Sequence, residues 1–445
     1  MMPTISHLAA ELAAGRTSSR TLVEQALARI EDPAGEGKRA FVKVWREQAL
    51  AAADAGDRLR RAGYAASPLA GLPVSVKNLC DIAGETTLAG SIALDDAPPA
   101  TADAPVVARL RQAGAVLVGS TNMSEFAFSG VGANPHYGTP GNPADRSRVP
   151  GGSSAGAAVS VGDGMAVAAL GTDTGGSVRI PAAVCGLAGF KPTARRVPLA
   201  GLTPLSFSLD SVGPLANSIE CCAIVDAIFA GEPIDVPAAA ELSGLRLAVP
   251  QHFVLADLDG TVAAAFERAL KALSARGVRL VEIPLAELDE LPMMNAKGTF
   301  AASEAYAWHK KLIARREKDY DPFIAPRIKR GAEMSAADYI ELMEQRRDLQ
   351  RRVAAVTSAF DAVVMPTCAI TAPTIAEVRD ADTFTRKNML LLRNTTVGNL
   401  LDRCAATVPC HRAGELPVGF MVMGETMADR RTLAIARAAE SVLRA

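Results

Sequence analysis

Two short stretches rich in glycine and serine contain the residues of this sequence best suited to carry out chemistry. They span residues 150–156 (PGGSSAG) and 171–181 (GTDTGGSVRIP). Glycine lacks a Cβ and tolerates positive φ, so the consecutive glycines 175–176 suit a loop whose N–H groups point at a developing negative charge. Ser177 ends that loop and Ser153 lies in the first stretch. The sequence therefore places two serines in backbone that a substrate can approach closely.

A serine hydroxyl is a weak nucleophile near neutral pH and needs a base within hydrogen-bonding distance. None of the five histidines lies in or beside either stretch. A lysine is the next candidate, because residues 70–76 (AGLPVSV) have the pattern of a short buried strand whose apolar run stops at Lys77. Burial disfavours the ammonium form, and a neutral amine can accept a proton. Lys77 is therefore the candidate base if its side chain is buried.

Lys77, Ser153 and Ser177, in this order and in these local sequences, resemble the amidase signature family of serine hydrolases. The resemblance implies a Ser–Ser–Lys triad in which Ser177 is the nucleophile, Lys77 the ultimate base and Ser153 the bridge that relays the proton. It also implies that the peptide bond before Ser153 is cis. The chemistry implied is hydrolysis of a carboxamide through an acyl-enzyme, with no metal and no organic cofactor.

The resemblance extends beyond the three triad residues. It runs almost continuously from Leu69 to Pro192, continues over 209–216, thins after about Gly231 and recovers near 416–420. It implies an oxyanion hole formed by three backbone N–H groups, those of Thr174, Gly175 and Gly176. Two residues are expected to support the nucleophile loop, Asp173 and Arg179. A further segment is expected to line the acyl pocket with its backbone, namely Ala127, Phe128 and Ser129.

A rival interpretation of the first stretch is the nucleophile elbow of α/β-hydrolases, because residues 152–156 (GSSAG) fit G-x-S-x-G. That motif requires a strand directly before its serine and a helix after it. Residues 142–150 (NPADRSRVP) contain two prolines and several charged or amide side chains, so they cannot form a buried central strand. The context therefore argues against the elbow and against His411 as the histidine of such a triad.

Three functions are compatible with the sequence. The favoured one is a free-standing amidase that acts on a small or medium carboxamide and releases ammonia or an amine. The second is the A subunit of a tRNA-dependent amidotransferase, which uses the same triad as a glutaminase and passes ammonia to a partner. The third is a catalytically silent assembly subunit, against which the presence of all three triad residues argues.

Composition limits the remaining function classes. The 445 residues carry a net charge of −1, which gives no long-range field to attract nucleic acid or an acidic membrane. The seven cysteines contain no C-x-x-C pair, and the start of the sequence has no signal segment. We therefore expect a cytoplasmic protein with reduced thiols whose partner is a small-molecule amide, with no nucleic acid, membrane or metal. Homodimerisation is compatible with the sequence but is not determined by it.

Short apolar runs alternate with helical patterns along much of the chain, which predicts an α/β fold with buried strands. The resemblance implies a large mixed, mostly parallel β-sheet covered by helices, in a single amidase domain over 1–445. We expect this domain to have four parts: an N-terminal helical segment at 1–65, the signature core at 69–216, a variable substrate-funnel segment at 232–360 and a C-terminal return to the sheet at 361–445.

Overall fold

Eleven β-strands joined in one sheet form the centre of the computed structural model, which describes residues 2–444. In chain order, strands β1 to β11 span Phe41–Val44, Pro73–Lys77, Val116–Thr121, Ala168–Thr172, Ala188–Lys191, Val212–Ala216, Arg246–Pro250, Arg279–Ile283, Ala362–Pro366, Ala405–Pro409 and Gly419–Met423. Their order across the sheet is β1-β3-β2-β4-β6-β5-β10-β11-β9-β7-β8. The C-terminal strands therefore return to the sheet begun by the N-terminal ones.

Fifteen α-helices within the described residues surround this sheet. Helices α1 to α15 span Ile5–Ala13, Ser19–Glu31, Gly37–Ala40, Arg46–Arg61, Pro105–Gln112, Ala155–Gly162, Arg179–Val184, Ile219–Ala230, Gly260–Ser274, Leu291–Met294, Phe300–Arg316, Ala325–Lys329, Ala336–Thr357, Ala381–Leu400 and Asp429–Leu443. Side-chain caps fix several starts: the Ser18 hydroxyl accepts from the N–H of Thr21 at α2, and Ser335 and Asp338 form a reciprocal capping box at α13. None of these helices is both long and apolar enough to cross a membrane.

The large mixed sheet covered by helices is confirmed, but its parallel pairs are a minority. Of the ten strand pairs in residues 2–444, four are parallel and six are antiparallel. The expectation of a mostly parallel sheet is therefore corrected. One cause is β6, which inserts between β4 and β5 and runs antiparallel to both. An apolar run indicates that a strand is buried but says nothing about its direction.

Both faces of the central strands are covered by helices. Side chains alternate between the two faces of a strand. In β4, Ala168 and Leu170 pack into the hydrophobic cluster that includes α8, whereas Ala169 packs into the cluster that includes α6 and α7. This arrangement explains why β4 is buried along its whole length.

The edge of the sheet where β2 and β4 end is the part of the fold that positions the candidate site. These two strands are neighbours and run parallel, so their carboxyl ends lie side by side. Strand β2 ends at Lys77, and β4 ends at Thr172, five positions before Ser177. Residues 233–240 form neither strand nor helix, yet the strands before and after them belong to the same sheet.

Candidate active site

Lys77 is the last residue of β2 and its side chain is fully buried. Its Nζ donates hydrogen bonds to Ser153 Oγ at 2.7 Å and to Thr172 Oγ1 at 2.8 Å. Burial lowers the pKa of Lys77 to about 7, although the negative charges of Asp210 and Asp173 favour the charged form. Burial therefore makes the neutral amine accessible near neutral pH.

Ser153 lies in a tight loop directly before α6. The Gly152–Ser153 peptide bond is cis, as the resemblance implies. The N–H of Gly152 donates to the carbonyl of Gly130 at 2.8 Å, and the carbonyl of Ser153 accepts from the N–H of Ser124 at 3.0 Å. These bonds fix the backbone on both sides of the Ser153 hydroxyl, and the strand that an α/β-hydrolase elbow would need is absent here because residues 150–154 are loop.

Ser177 lies in the loop between β4 and α7, at the wall of a cavity. Its carbonyl accepts from the N–H of Ser154 at 3.3 Å, which ties the two serine-containing loops together. Within the described residues, no hydrogen bond joins the Ser177 hydroxyl to that of Ser153. The structure thus brings Lys77 and Ser153 into direct contact and places Ser177 in the adjoining loop.

The backbone N–H groups of residues 174–177 have no hydrogen-bond partner within the described part of the chain, whereas the N–H groups before and after them do: that of Asp173 donates to the carbonyl of Ser211 and that of Val178 to the Asp173 carboxylate. Gly176 has φ of +132°, and a Cβ there would lie 2.1 Å from Thr395 Oγ1. Only glycine therefore fits this position, and the loop presents a row of free donors next to Ser177.

Asp173 and Arg179 form a fully buried ion pair behind the loop that contains residues 174–177. Arg179 Nη2 lies 2.8 Å from Asp173 Oδ1, and neither side chain is exposed. Burial alone would raise the pKa of Asp173, but the charge and hydrogen bonds of Arg179 outweigh it and hold that pKa at about 2. Asn399 completes the group by donating to the Asp173 carboxylate at 2.9 Å. Asp173 and Arg179 therefore lie on the side of the loop that faces away from the cavity.

We expect Asp173→Asn to lower the free energy of unfolding by about 3–5 kcal/mol, because it leaves the buried guanidinium of Arg179 without its counter-charge. Denaturant unfolding followed by circular dichroism measures the change. Asp145→Asn is the matched control: its 3.1 Å ion pair with Arg148 is partly exposed, and its loss is expected to cost less than about 1 kcal/mol. Equal losses in the two variants would contradict the assigned role of Asp173.

The cavity beside Ser177 has a volume of about 180 Å³. The three residues expected to line the acyl pocket, Ala127, Phe128 and Ser129, all lie in its wall. A second cavity of about 150 Å³ adjoins it, since both share Thr174 as a lining residue. Asp210 lies at this second cavity, where burial raises its pKa to about 6.

Several contributors to the site were not identified from the sequence. Thr172, the second acceptor of the Lys77 bond, lies inside the glycine-rich stretch, where its place at the end of an apolar run is a usable signal. Thr395 and Asn399, both on α14, donate hydrogen bonds to the carbonyls of Gly175 and Asp173 and so hold the loop that contains Ser177. No local pattern marks them, because their partners lie more than two hundred positions away.

The fold places the aromatic and methionine residues around position 300 in different environments. Phe300 lines the cavity, whereas Trp308 packs against Phe126 with the ring centroids 6.2 Å apart. Met293 is 77% exposed and takes no part in the cavity. His411 lies beside Gly186 and lines neither cavity. The seven cysteines are buried and unpaired, and no cluster of metal-binding side chains occurs in residues 2–444.

Known proteins match this fold and sequence over nearly the whole chain. A family model described as Amidase matches residues 21–433. The 2-amino-5-chloromuconic acid deaminase of Comamonas testosteroni is 39% identical over 412 residues, which cover 90% of this chain and 88% of that protein. The A subunit of the glutamyl-tRNA(Gln) amidotransferase of Chromohalobacter salexigens is 34% identical over 468 residues, covering 97% and 95%. A crystal structure of an amidase superposes with a TM-score of 0.88 at 32% identity, covering 99% of this chain and all of that one.

The fold and these similarities define a hydrolase that acts on the C–N bonds of amides. The chain belongs to the amidase signature family.

Proposed function

We propose that this protein is a free-standing amidase that hydrolyses a small carboxamide through an acyl-enzyme on Ser177, with Ser153 as the proton relay and Lys77 as the base. The observation that carries the proposal is the 2.7 Å contact between the buried Lys77 Nζ and Ser153 Oγ, across which the Ser153 hydroxyl can donate to Nζ when the amine is neutral. Burial lowers the pKa of this lysine toward neutral pH. The lysine is hydrogen-bonded to one serine and lies close to a second serine at a cavity. A base in such a position can activate a hydroxyl.

Acylation begins when Ser177 Oγ attacks the carbonyl carbon of the amide. The proton of Ser177 passes to Ser153 Oγ, while the proton of Ser153 passes to the neutral Nζ of Lys77. The Ser177 side chain must turn toward Ser153 for this step, and catalytic hydrogen bonds commonly tighten only when substrate is bound. The oxyanion that forms accepts hydrogen bonds from the free N–H groups of Thr174, Gly175 and Gly176.

Collapse of the tetrahedral intermediate needs a proton on the leaving nitrogen, because an amide anion is a very poor leaving group. The protonated Lys77 returns its proton through Ser153 to that nitrogen, and ammonia or an amine departs. Water then attacks the ester on Ser177 with the same relay as base, and the acid is released. Every proton in this cycle moves between groups of the chain, substrate and water.

The size of the cavity supports a small substrate. A protein cavity of roughly 150 Å³ can hold a molecule the size of benzene, and the cavity at Ser177 is about 180 Å³. From the 232–360 segment, its wall contains Asn295, Thr299, Phe300, Ala301 and Arg327. We therefore assign segment 232–360 to shaping the substrate funnel within a single domain over 1–445. We also propose a cytoplasmic location, because the sequence predicts that the thiols are reduced.

A second candidate function is the glutaminase subunit of a tRNA-dependent amidotransferase, which the similarity to the Chromohalobacter salexigens protein supports. It requires the same residues and the same acyl-enzyme. The two candidates differ in whether a partner receives the ammonia.

Ammonia release by the purified protein alone, from a panel of small amides that includes glutamine, tests the proposal. We expect turnover of at least one small amide without any added protein. Activity only on glutamine and only with an added amidotransferase partner would favour the second candidate instead. No turnover under either condition would contradict both and favour a catalytically silent subunit.

A further inference from the structure

Arg327 is the one charged residue among those that line the cavity at Ser177. It belongs to α12, and its half-buried side chain shares the cavity wall with Gly175 and Ser177. The remaining lining is apolar or neutral and polar. The cavity therefore has a nucleophile at one place and a fixed positive charge at another.

The guanidinium of Arg327 has no ion-pair or hydrogen-bond partner within residues 2–444. Three other poorly exposed arginines have partners: Arg179 pairs with Asp173, Arg196 pairs with acidic side chains, and Arg346 donates to three backbone carbonyls. The Arg327 guanidinium instead lies over the ring of Phe128, whose centroid is 5.3 Å away. Stacking on an aromatic ring orients a guanidinium but leaves its hydrogen-bond donors free.

The surroundings of Arg327 disfavour its charge. Burial lowers its pKa to about 10, and the nearby charge of Arg330 acts in the same direction. Asp321 favours the charged form but lies beyond ion-pair distance. A desolvated cation without a counter-charge is costly, and an anion entering the cavity would remove that cost.

We propose that Arg327 binds a carboxylate of the substrate, so that the substrates of this enzyme are small amides that also carry a carboxylate group, such as the monoamides of short dicarboxylic acids. The inference rests on the proposed function, because it takes the cavity at Ser177 as the substrate site. The planar fork of a guanidinium matches the two oxygens of a carboxylate. With Phe128 behind the guanidinium, the carboxylate approaches from the cavity and the amide is held toward Ser177.

Paired substrates test this inference. Succinamate, glutaramate and adipamate are compared with butyramide, valeramide and hexanamide, and N-acetyl-β-alanine places the carboxylate on the leaving amine. We expect kcat/KM to favour the best carboxylated amide over its neutral counterpart by about 10–100-fold, as for a charge-assisted hydrogen bond. Arg327→Met should reduce this ratio to near one, and Arg327→Lys should retain part of it because a lysine keeps the charge but not the fork.

Arg330→Met is the matched control, because Arg330 is an exposed arginine three positions away that does not line the cavity. It should leave the ratio unchanged. A wild-type ratio near one, or an equal loss of the ratio in Arg330→Met and Arg327→Met, would overturn the inference. If the protein hydrolyses neutral and carboxylated amides equally well, the inference is overturned but the proposed function stands.

A binding measurement keeps the inference testable independently of turnover. Glutaramate is titrated by calorimetry into Ser177→Ala and into the double variant Ser177→Ala with Arg327→Met. We expect the second substitution to weaken binding by at least tenfold, with valeramide bound equally by both proteins. Equal affinity of the two variants for glutaramate would overturn the inference even if the protein proved to be an active amidase.

Discussion

Ser177→Ala is expected to lower kcat by about 10⁶-fold, as loss of a catalytic serine does in serine hydrolases whose triad acts as a unit. The substitution removes the atom that forms the acyl-enzyme but no bond on which the fold depends, since the carbonyl of Ser177 still accepts from Ser154. Ammonia release from the best amide measures the effect. Labelling with a fluorophosphonate, followed by mass spectrometry, should place the adduct on Ser177 in the wild type.

Ser160→Ala is the matched control for this experiment. Ser160 is also a buried serine, but it lies in α6 and bonds to the Ser75 hydroxyl, away from the cavity. We expect its kcat to stay within a few-fold of the wild type and its labelling to be retained. Turnover that persists in Ser177→Ala, or an adduct found on Ser153 instead, would show that the nucleophile is assigned wrongly.

Lys77→Met should lower kcat/KM by about 10⁴-fold, the upper range for loss of a general base. Methionine fills much of the same buried volume but cannot accept the proton that Ser153 passes on. Ammonia release over a range of pH provides the more specific measurement. In the wild type the base must be neutral, and the pKa of Lys77 is about 7. Activity should therefore rise tenfold per pH unit below that value and level off above it.

The residual activity of Lys77→Met should lack this acidic limb. Lys191→Met is the control, because Lys191 is a second fully buried lysine, whose Nζ donates to two backbone carbonyls rather than to a serine. Burial lowers its pKa to about 8. We expect Lys191→Met to keep the limb near pH 7. An acidic limb that persists in Lys77→Met would assign the titration to another group, such as Asp210.

The positions of Lys77 and Ser177 in the fold could be predicted from the sequence because each lies at a change of pattern. Lys77 ends an apolar run, and Ser177 follows another run by a few glycine-rich positions. Ends of neighbouring parallel strands meet at one edge of a sheet, so these two local signals predicted a common site. The structure bears out the placement, with Lys77 at the end of β2 and the Ser177 loop after β4.

The direction of the strands and the support of the site could not be predicted in this way. Strand β5 (AGFK) and strand β6 (VGPLA) are rich in small residues, so neither has a strong strand pattern, and three of the six antiparallel pairs involve one or both of them. The role of Arg327 depends on what lies around it in space. Several basic residues lie in its segment. Only the fold shows that Arg327 lines the cavity while its basic neighbours are exposed to solvent.

The hydrogen bonds from α14 to the loop that contains Ser177 join parts of the chain that are synthesised at different times. Asn399 and Thr395 donate to the carbonyls of Asp173 and Gly175, across 226 and 220 positions of sequence. During translation at roughly 5–20 residues per second, Ser177 therefore leaves the ribosome about 10–45 s before the helix that shapes its loop. Throughout that time the nascent chain carries Lys77, Ser153 and Ser177 without the α14 hydrogen bonds that hold the Ser177 loop, so we expect hydrolytic activity to begin only when synthesis is almost complete.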